Sequence, residues 1–383
     1  MLRLTYPLNL PMKASVSQRA PRLVALLALA LATLSVSNLS AQNATVTTVP
    51  VGALSATITA STNGTSYAVS QISFPLLADP LVASGGNVVT PAGSLRGTID
   101  SATTATTSST ITTSTGGWTV GQLAQAAYPM YVRLSSGAQA GLTLLITANT
   151  ATTLTVTNQG VDLSTLAGAS YEIKAGDTLL GLFGAGNLTG AAAPKGGTTA
   201  NFSANKTDRV TINNGAAVFN YYYNTDVSQW RRAGSNADQG NVAISPQAGI
   251  VYSRIATTAY TITATGSVPV GQTIVAVARQ GLGIYGRQFP ADTTLGDLGI
   301  QNLANWRKAN ASGVTAATSD RVIVLNGTSV LSYYYDNTNS QWRRLGSSAN
   351  QNTVSISAGS SIRISRSGAS GTDYYTLSPN YTL

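Results

Sequence analysis

The chain has no cysteine and no histidine, and Glu172 is the only glutamate in its 383 residues. Without Cys no disulfide can form, so an exported form must be held by its core alone. Without Cys and His, zinc, copper and haem lose their usual ligands, and no cofactor is expected. Calcium could still be held by Asp and carbonyl oxygens, yet no Asp-x-Asp-x-Asp-Gly spacing occurs. The same absences, with Lys scarce, remove most nucleophile–base relays. Serines are plentiful, but none sits in a Gly-x-Ser-x-Gly elbow. Charged residues make up 9% of the chain, far below the ~25% of an average soluble protein. Solubility must rest on Ser, Thr, Asn, Gln and Gly, and helix formers are few. That balance fits an extracellular all-β protein.

Long apolar runs are missing as well, apart from Leu23 to Leu34. That segment follows Arg3, Lys13, Arg19 and Arg22 with no acid among them, and small residues come after it. At about a dozen residues it is short of the ~20 needed to cross a bilayer. Residues 1–41 therefore read as a secretory signal peptide, with cleavage expected between Ala41 and Gln42. Four of the 22 basic residues and none of the 13 acids lie in it, which leaves 18 bases against 13 acids. No later Lys/Arg run exceeds two residues, so no nucleic-acid partner is expected. No transmembrane helix is expected after cleavage. No C-terminal apolar stretch with basic residues behind it occurs, so no sorting anchor is expected.

What the chain does contain is written twice. Asp208-Arg209-Val210 leads to Tyr221-Tyr222-Tyr223 and then Gln229-Trp230-Arg231-Arg232; Asp320-Arg321-Val322 leads to Tyr333-Tyr334-Tyr335 and then Gln341-Trp342-Arg343-Arg344. The offset is 112 and holds without a gap to Arg254 and Arg366. Earlier landmarks repeat in the same order. Val49-Pro50-Val51-Gly52 returns at 268–271, Phe74-Pro75 at 289–290, and Asp177 to Gly184 at Asp292 to Gly299. Pro75 and Asp177 lie 102 positions apart, whereas Pro290 and Asp292 lie 2 apart, so copy one carries an insertion of about 100 residues. The reading is therefore all-β: copy one over 49–75 plus 177–267, an inserted module over 76–176, and copy two over 268–383. Each copy has the size of a β-sandwich or barrel-like domain.

The insertion shows five or six short strands between turn residues such as Gly137, Gly141 and Asn149, which predicts a small SH3-like barrel. Trp118 to Ala127 reads as holding one helical turn, and Leu303 to Lys308 as a short helix. Gln42 to Ser61 reads as strand. Within the repeat, aromatics flank Asn/Asp-rich loops at 224–228 and 336–340, which predicts a β-hairpin in each copy. Successive strand residues face opposite ways, so the first and third Tyr of each triplet should share a face. The same Tyr should be buried, and the same one exposed, in both copies.

Ser-Gly-Ala-Gln-Ala-Gly at 136–141, Ile-Thr-Ala-Asn-Thr-Ala-Thr-Thr-Leu-Thr-Val at 146–156, Ala-Gly-Asp-Thr-Leu at 175–179 and both Tyr-Tyr-Tyr…Trp-Arg-Arg blocks carry a resemblance. In order and spacing the chain resembles a paralogous family of exported proteins from verrucomicrobial bacteria. The resemblance implies export and an all-β build, and it brings no activity and no site with it.

Two constellations could carry chemistry. The first is the aromatic/Arg set: Tyr221, Tyr222, Tyr223, Trp230, Arg231 and Arg232, with Tyr333, Tyr334, Tyr335, Trp342, Arg343 and Arg344. Such rings and guanidinium groups could stack on and bind sugars, or the rings could fill the core while Arg stems cover it. The second is Asp208 with Asp320, which could form a glycosidase pair if the copies met about a twofold axis. Each could equally be a strand-start Asp that closes a turn or pairs with a neighbouring Arg. The leading expectation is an exported, non-catalytic structural or interaction protein of the cell surface or extracellular matrix. Glycan binding is the alternative, and Asp-dependent glycoside hydrolysis is a weaker one.

Overall fold

Alternation of small apolar and hydroxyl side chains builds the outer hairpin of copy one. Val51–Ile58 pairs antiparallel with Tyr260–Ser267 along all eight residues. Leu54, Ala56 and Ile58 turn inward against Tyr260, Ile262 and Ala264, while Ser55 and Thr57 meet Thr263 and Thr261 outside. The computed structural model describes residues 50–106, 108–214, 217–310, 313–326 and 329–381. The expected leader and the start of the strand expected from Gln42 lie outside them. Strands dominate, and among the described residues no helix is long and apolar enough to cross a membrane.

Copy one's main sheet has five strands in the order Gln229–Arg232, Ala217–Asn224, Arg209–Asn214, Ile250–Arg254 and Ala68–Ile72. Copy two has the same order: Gln341–Arg344, Ser329–Asp336, Arg321–Asn326, Ser361–Leu377 and Thr273–Gly286. The hairpin registers agree residue by residue. Val210 faces Tyr221 and Val322 faces Tyr333; Tyr223 faces Trp230 and Tyr335 faces Trp342. Even the turns agree, with Ser228 and Ser340 both left-handed at φ 52° and 51°. A one-residue slip would have exchanged the inner and outer faces. The copies differ at their rims. Copy two joins its outer and main sheets into one long hairpin, Thr273–Gly286 with Ser361–Leu377. Copy one breaks the same run at 59–67, where Asn63 caps a turn through the Thr65 and Ser66 N–H groups.

The Asp177 landmark aligns one residue differently from the sequence reading. Asp177–Thr178 pairs with Ala243–Ile244, and Thr293–Thr294, not Asp292–Thr293, pairs with Ser355–Ile356. Leu179 and Leu295 are the fully buried residues that follow, and each N–H bonds the equivalent carbonyl, Val242 or Val354. Burial of these leucines sets the match, while the shared Asp letters lie outside the core. Helices occur at Leu179–Phe183 and Thr199–Ser203, each capped by a Thr hydroxyl. The helical turn expected at 303–308 lies earlier, at Ile300–Asn302. The turn expected within 118–127 is at Gln122–Ala124.

The copies meet through a reciprocal contact. Ile72 and Tyr285 are equivalent, because they face Ile250 and Ile362. Ile72 bridges to Ser360, and Tyr285 bridges to Ala248. Ser73 N–H bonds Gly359 O at 2.8 Å, and Gly286 N–H bonds Gln247 O at 2.9 Å. Each copy thus gives the other the same two contacts, as in an isologous, twofold-related interface.

The insertion is one seven-stranded sheet with a separate small hairpin, Val82–Ser84 paired with Asn87–Val89. The end strands of the sheet, Arg96–Thr98 and Ser101–Thr103, are two halves of one bent segment. The first half pairs with Ser170–Ala175 and the second with Ser108–Thr112, so the sheet closes on itself as a small barrel. Its core holds Trp118, Leu123, Met130, Leu144, Leu154 and Tyr171, and also accepts Ile274 from copy two. Gly141 O accepts from Ile274 N–H at 3.1 Å, and Gln272 Nε2 donates to Ala140 O at 2.9 Å. Gly141 has φ +92°, and a Cβ there would lie 2.3 Å from Gln272 O. Gly168 has φ +81° with open space around it. Gly141→Ala is therefore expected to exceed the ~1–2 kcal/mol of a left-handed non-Gly residue, and Gly168→Ala to cost only that. Thermal melting of both variants checks the difference, and equal losses would contradict the close approach.

Candidate functional site

The hairpins place the expected site residues mostly in the core. Tyr221, Tyr223, Trp230, Tyr333 and Trp342 are buried. Trp230 meets Tyr223 edge-on at 5.9 Å, and Trp342 meets Tyr335 edge-on at 5.6 Å. Phe183 backs Trp230, and Trp306 backs Trp342, at 5.9 and 6.0 Å. The middle tyrosines depart from the expectation of matched exposure. Tyr222 is only 2% exposed, because Phe202 of the short helix stacks on it at 4.3 Å and Thr199 Oγ1 bonds its hydroxyl at 3.0 Å. Tyr334 is half-buried, and among the described residues no aromatic ring stacks on it. Tyr335 is also half-buried, with Lys308 Nζ 5.5 Å from its ring centre.

The arginines cover and brace the hairpins. Arg231 bonds Asn236 at 3.1 Å, Arg232 lies 4.7 Å over Phe219, Arg343 pairs with Asp336 at 3.0 Å, and Arg344 is exposed. The two sets belong to separate hairpins and offer no shared row of exposed rings among the described residues. Asn224 and Asp336 hold equivalent turn positions, each accepting from the N–H two residues on, at 3.0 Å.

The acids lie inside their own copies. Asp208 Oδ2 takes Arg254 Nη1 at 2.7 Å, Tyr252 OH at 2.9 Å and Lys195 N–H at 2.8 Å; Oδ1 takes Ile255 N–H at 2.8 Å. Asp320 repeats the plan with Arg366 at 3.0 Å, Arg307 N–H at 3.0 Å and Ser367 N–H at 3.1 Å. Burial pushes the Tyr252 hydroxyl well above its ordinary range, with Tyr260 and Asp208 adding to the effect. Both carboxylates are saturated by structural donors, and the geometry brings neither to a shared cleft. In copy two Arg366 also holds Asp373 at 2.8 Å, which Arg279 grips from outside at 2.8 Å.

Asp336 and Asp373 offer a pH handle. Burial alone would raise both. Donors Asn310, Asn339 and Arg343 around Asp336, and Arg366, Asn305 and Arg279 around Asp373, outweigh it and hold both below the ordinary Asp value. A depressed carboxyl contributes stability that is complete above the unfolded pKa, about 4, and is lost as pH falls through the folded value. Asp177, raised by burial, acts in the opposite sense. The melting temperature is expected to fall below about pH 4, with a shallower fall in Asp373→Asn. A pH series of melts checks this, and an unchanged slope in the variant would contradict it.

A cleft of about 440 Å³, unforeseen in the sequence, lies where the barrel and both copies converge. Tyr131, Asn158 and Gln159 come from the barrel, Asn213, Tyr221 and Gln247 from copy one, and Tyr285 and Thr372 from copy two. No charged side chain lines it. Gln159 Oε1 and Asn213 Oδ1 are buried without a hydrogen-bond donor among the described residues. Burial raises the Tyr131 hydroxyl, with nearby Asp177 adding to it. No cluster of three metal-ligating side chains occurs among the described residues.

Fold and site together define an all-β protein of two reciprocally packed copies with an inserted barrel and an uncharged cleft between the three. No family model matches the chain, and neither a curated protein nor a solved structure does.

Proposed function

We propose that this chain is an exported, non-catalytic structural or interaction protein of the cell surface or extracellular matrix. The observation that carries the reading is the saturation of Asp208 and Asp320 inside matched ion-pair networks, with the aromatic hairpins packed as core above them. Features that recur in both copies as internal supports serve the fold first. The acid-free basic leader before an apolar stretch supports export. Surface labelling of intact cells, paired with a reducing-end assay on a polysaccharide panel, tests it. The expected result is surface or matrix labelling with no sugar released. Sugar released by the purified, folded protein would overturn the non-catalytic reading.

The cleft favours a second reading, binding of a neutral glycan. Its amides, hydroxyls and three tyrosines match a ligand with many O–H donors and no charge. Its volume falls in the ~300–1,000 Å³ range of small-molecule sites. A glycan array with the mature protein is expected to give hits that Gln159→Ala abolishes and Arg344→Ala leaves intact. Hits lost only with Arg344→Ala would return the site to the hairpins.

A further inference from the structure

Arg287 sits in the core of copy two, only 6% exposed. Its Nη1 donates to Ile356 O at 2.9 Å and its Nη2 to Ala291 O at 2.7 Å, and it forms no ion pair with any carboxylate among the described residues. Asp292 is near, but it is exposed and its Oδ1 is taken by Ala358 N–H at 2.7 Å. Every other arginine as deeply buried, Arg254 and Arg366, has its own Asp. A buried charge is costly unless it is paired.

The surroundings supply a place for the partner. Arg287 borders a cavity of about 50 Å³ together with Tyr285, Phe289, Tyr375, Asn380 and Asp297, an exposed acid whose Oδ2 accepts from Thr294 Oγ1 at 2.7 Å. The Tyr375 side chain is 8% exposed, and its hydroxyl is buried with no hydrogen-bond partner among the described residues. A cation and an idle O–H donor thus border the same small space. Ser73 and Gly286 are equivalent by their matched bonds to Gly359 O and Gln247 O, so in this register Arg287 stands where copy one places Phe74, a core side chain, and the Phe289-Pro290 matched by letters to Phe74-Pro75 lies two positions further on. The substitution of a guanidinium for a phenyl ring is specific to copy two.

We propose that this cavity binds one small monovalent anion of halide size, held between the Arg287 guanidinium and the Tyr375 hydroxyl. Water alone would leave the guanidinium without a bound counter-ion, since Asp292 and Asp297 are exposed and bonded to Ala358 N–H and the Thr294 hydroxyl. The space is that of a few water molecules at ~10–15 Å³ each, which suits a halide and excludes a sugar phosphate. Walls such as Val275, Val277 and Leu298 disfavour a divalent anion. Bound anion would tie the segment after Gly286 to the last strand, since Tyr375 belongs to that strand. The site shares the Tyr285 wall with the cleft but rests neither on the glycan reading nor on the structural one.

The test uses the mature chain dialysed into sodium gluconate. Sodium chloride or bromide is titrated in at constant ionic strength while melting is followed, with sodium sulfate as control. Binding to the native state alone raises stability with ligand concentration. Chloride and bromide are expected to raise the melting temperature and sulfate to leave it unchanged. Tyr375→Phe, which removes only the hydroxyl, should move the halide midpoint at least tenfold higher. Arg287→Phe, which restores the residue of copy one, should abolish the dependence. A bromide-soaked crystal should show an anomalous peak beside Arg287. The absence of that peak, or a halide midpoint unchanged in Tyr375→Phe, would overturn the site.

Discussion

Asp208→Ala is expected to cost about 3–5 kcal/mol, because it leaves the Arg254 guanidinium charged and fully buried with no counter-ion. The loss goes beyond one ion pair. Lys195 N–H, Ile255 N–H and the Tyr252 hydroxyl would each lose their acceptor in the same step. A buried donor without an acceptor costs about 1–3 kcal/mol, and a whole domain is stable by only ~5–15 kcal/mol. Asp208→Asn should be nearly as damaging, since it removes the charge that compensates Arg254. Removing both partners in Asp208→Ala/Arg254→Met should recover part of the loss, as replacing a buried pair with apolar groups often does. Asp320→Ala should behave alike in copy two. There Arg366 keeps Asp373 as a second partner, so the loss should be smaller. Urea unfolding of the four variants checks the order. A wild-type midpoint for Asp208→Ala would show that the network contributes nothing.

The two tryptophans carry the next largest effect. Trp230→Ala and Trp342→Ala should each cost about 3–5 kcal/mol, the usual range for removing a large buried aromatic. No disulfide exists to compensate. The gentler substitution separates the copies. Trp230 Nε1 donates to Gly184 O at 2.9 Å, whereas Trp342 Nε1 is buried with no partner among the described residues. Phe in place of Trp230 strands the Gly184 carbonyl; Phe in place of Trp342 removes an idle donor. Trp230→Phe should therefore destabilise more than Trp342→Phe by about the worth of one hydrogen bond, ~0.5–1.5 kcal/mol. Thermal melts of the pair check this, and the reverse order would contradict the assigned donor.

The repeated block was legible because strand pairing has a period of two, and a gapless stretch from Asp208 to Arg254 leaves no room for a change of register. The ends of that stretch were telling in themselves: Asp208 and Arg254 form one ion pair, Asp320 and Arg366 the other. Burial of the middle Tyr was not legible. It depends on Phe202, which lies outside the gapless block and reaches Tyr222 only through a helix of five residues. The Asp177 landmark misled by one position, since an Asp shared outside the core weighs less than the packing of Leu179 and Leu295. The cleft left no trace in the chain, because its amides and tyrosines come from the barrel and both copies, in segments far apart in sequence, and follow no spacing. Arg287 was equally hidden; nothing in its neighbours separates a buried guanidinium from a solvated one.

The central claim is that the two written copies are one fold packed about a twofold-related contact. Residue-resolved amide hydrogen exchange tests it most directly. Ser73 and Gly286 make the equivalent bonds to Gly359 O and Gln247 O, at 2.8 and 2.9 Å. The account predicts slow exchange at both amides, with protection that falls together as denaturant is added, because the contact they share opens as one unit. Fast exchange at either amide while the sheet amides of Val210 and Val322 stay protected would show that the copies fold separately and do not form the reciprocal interface.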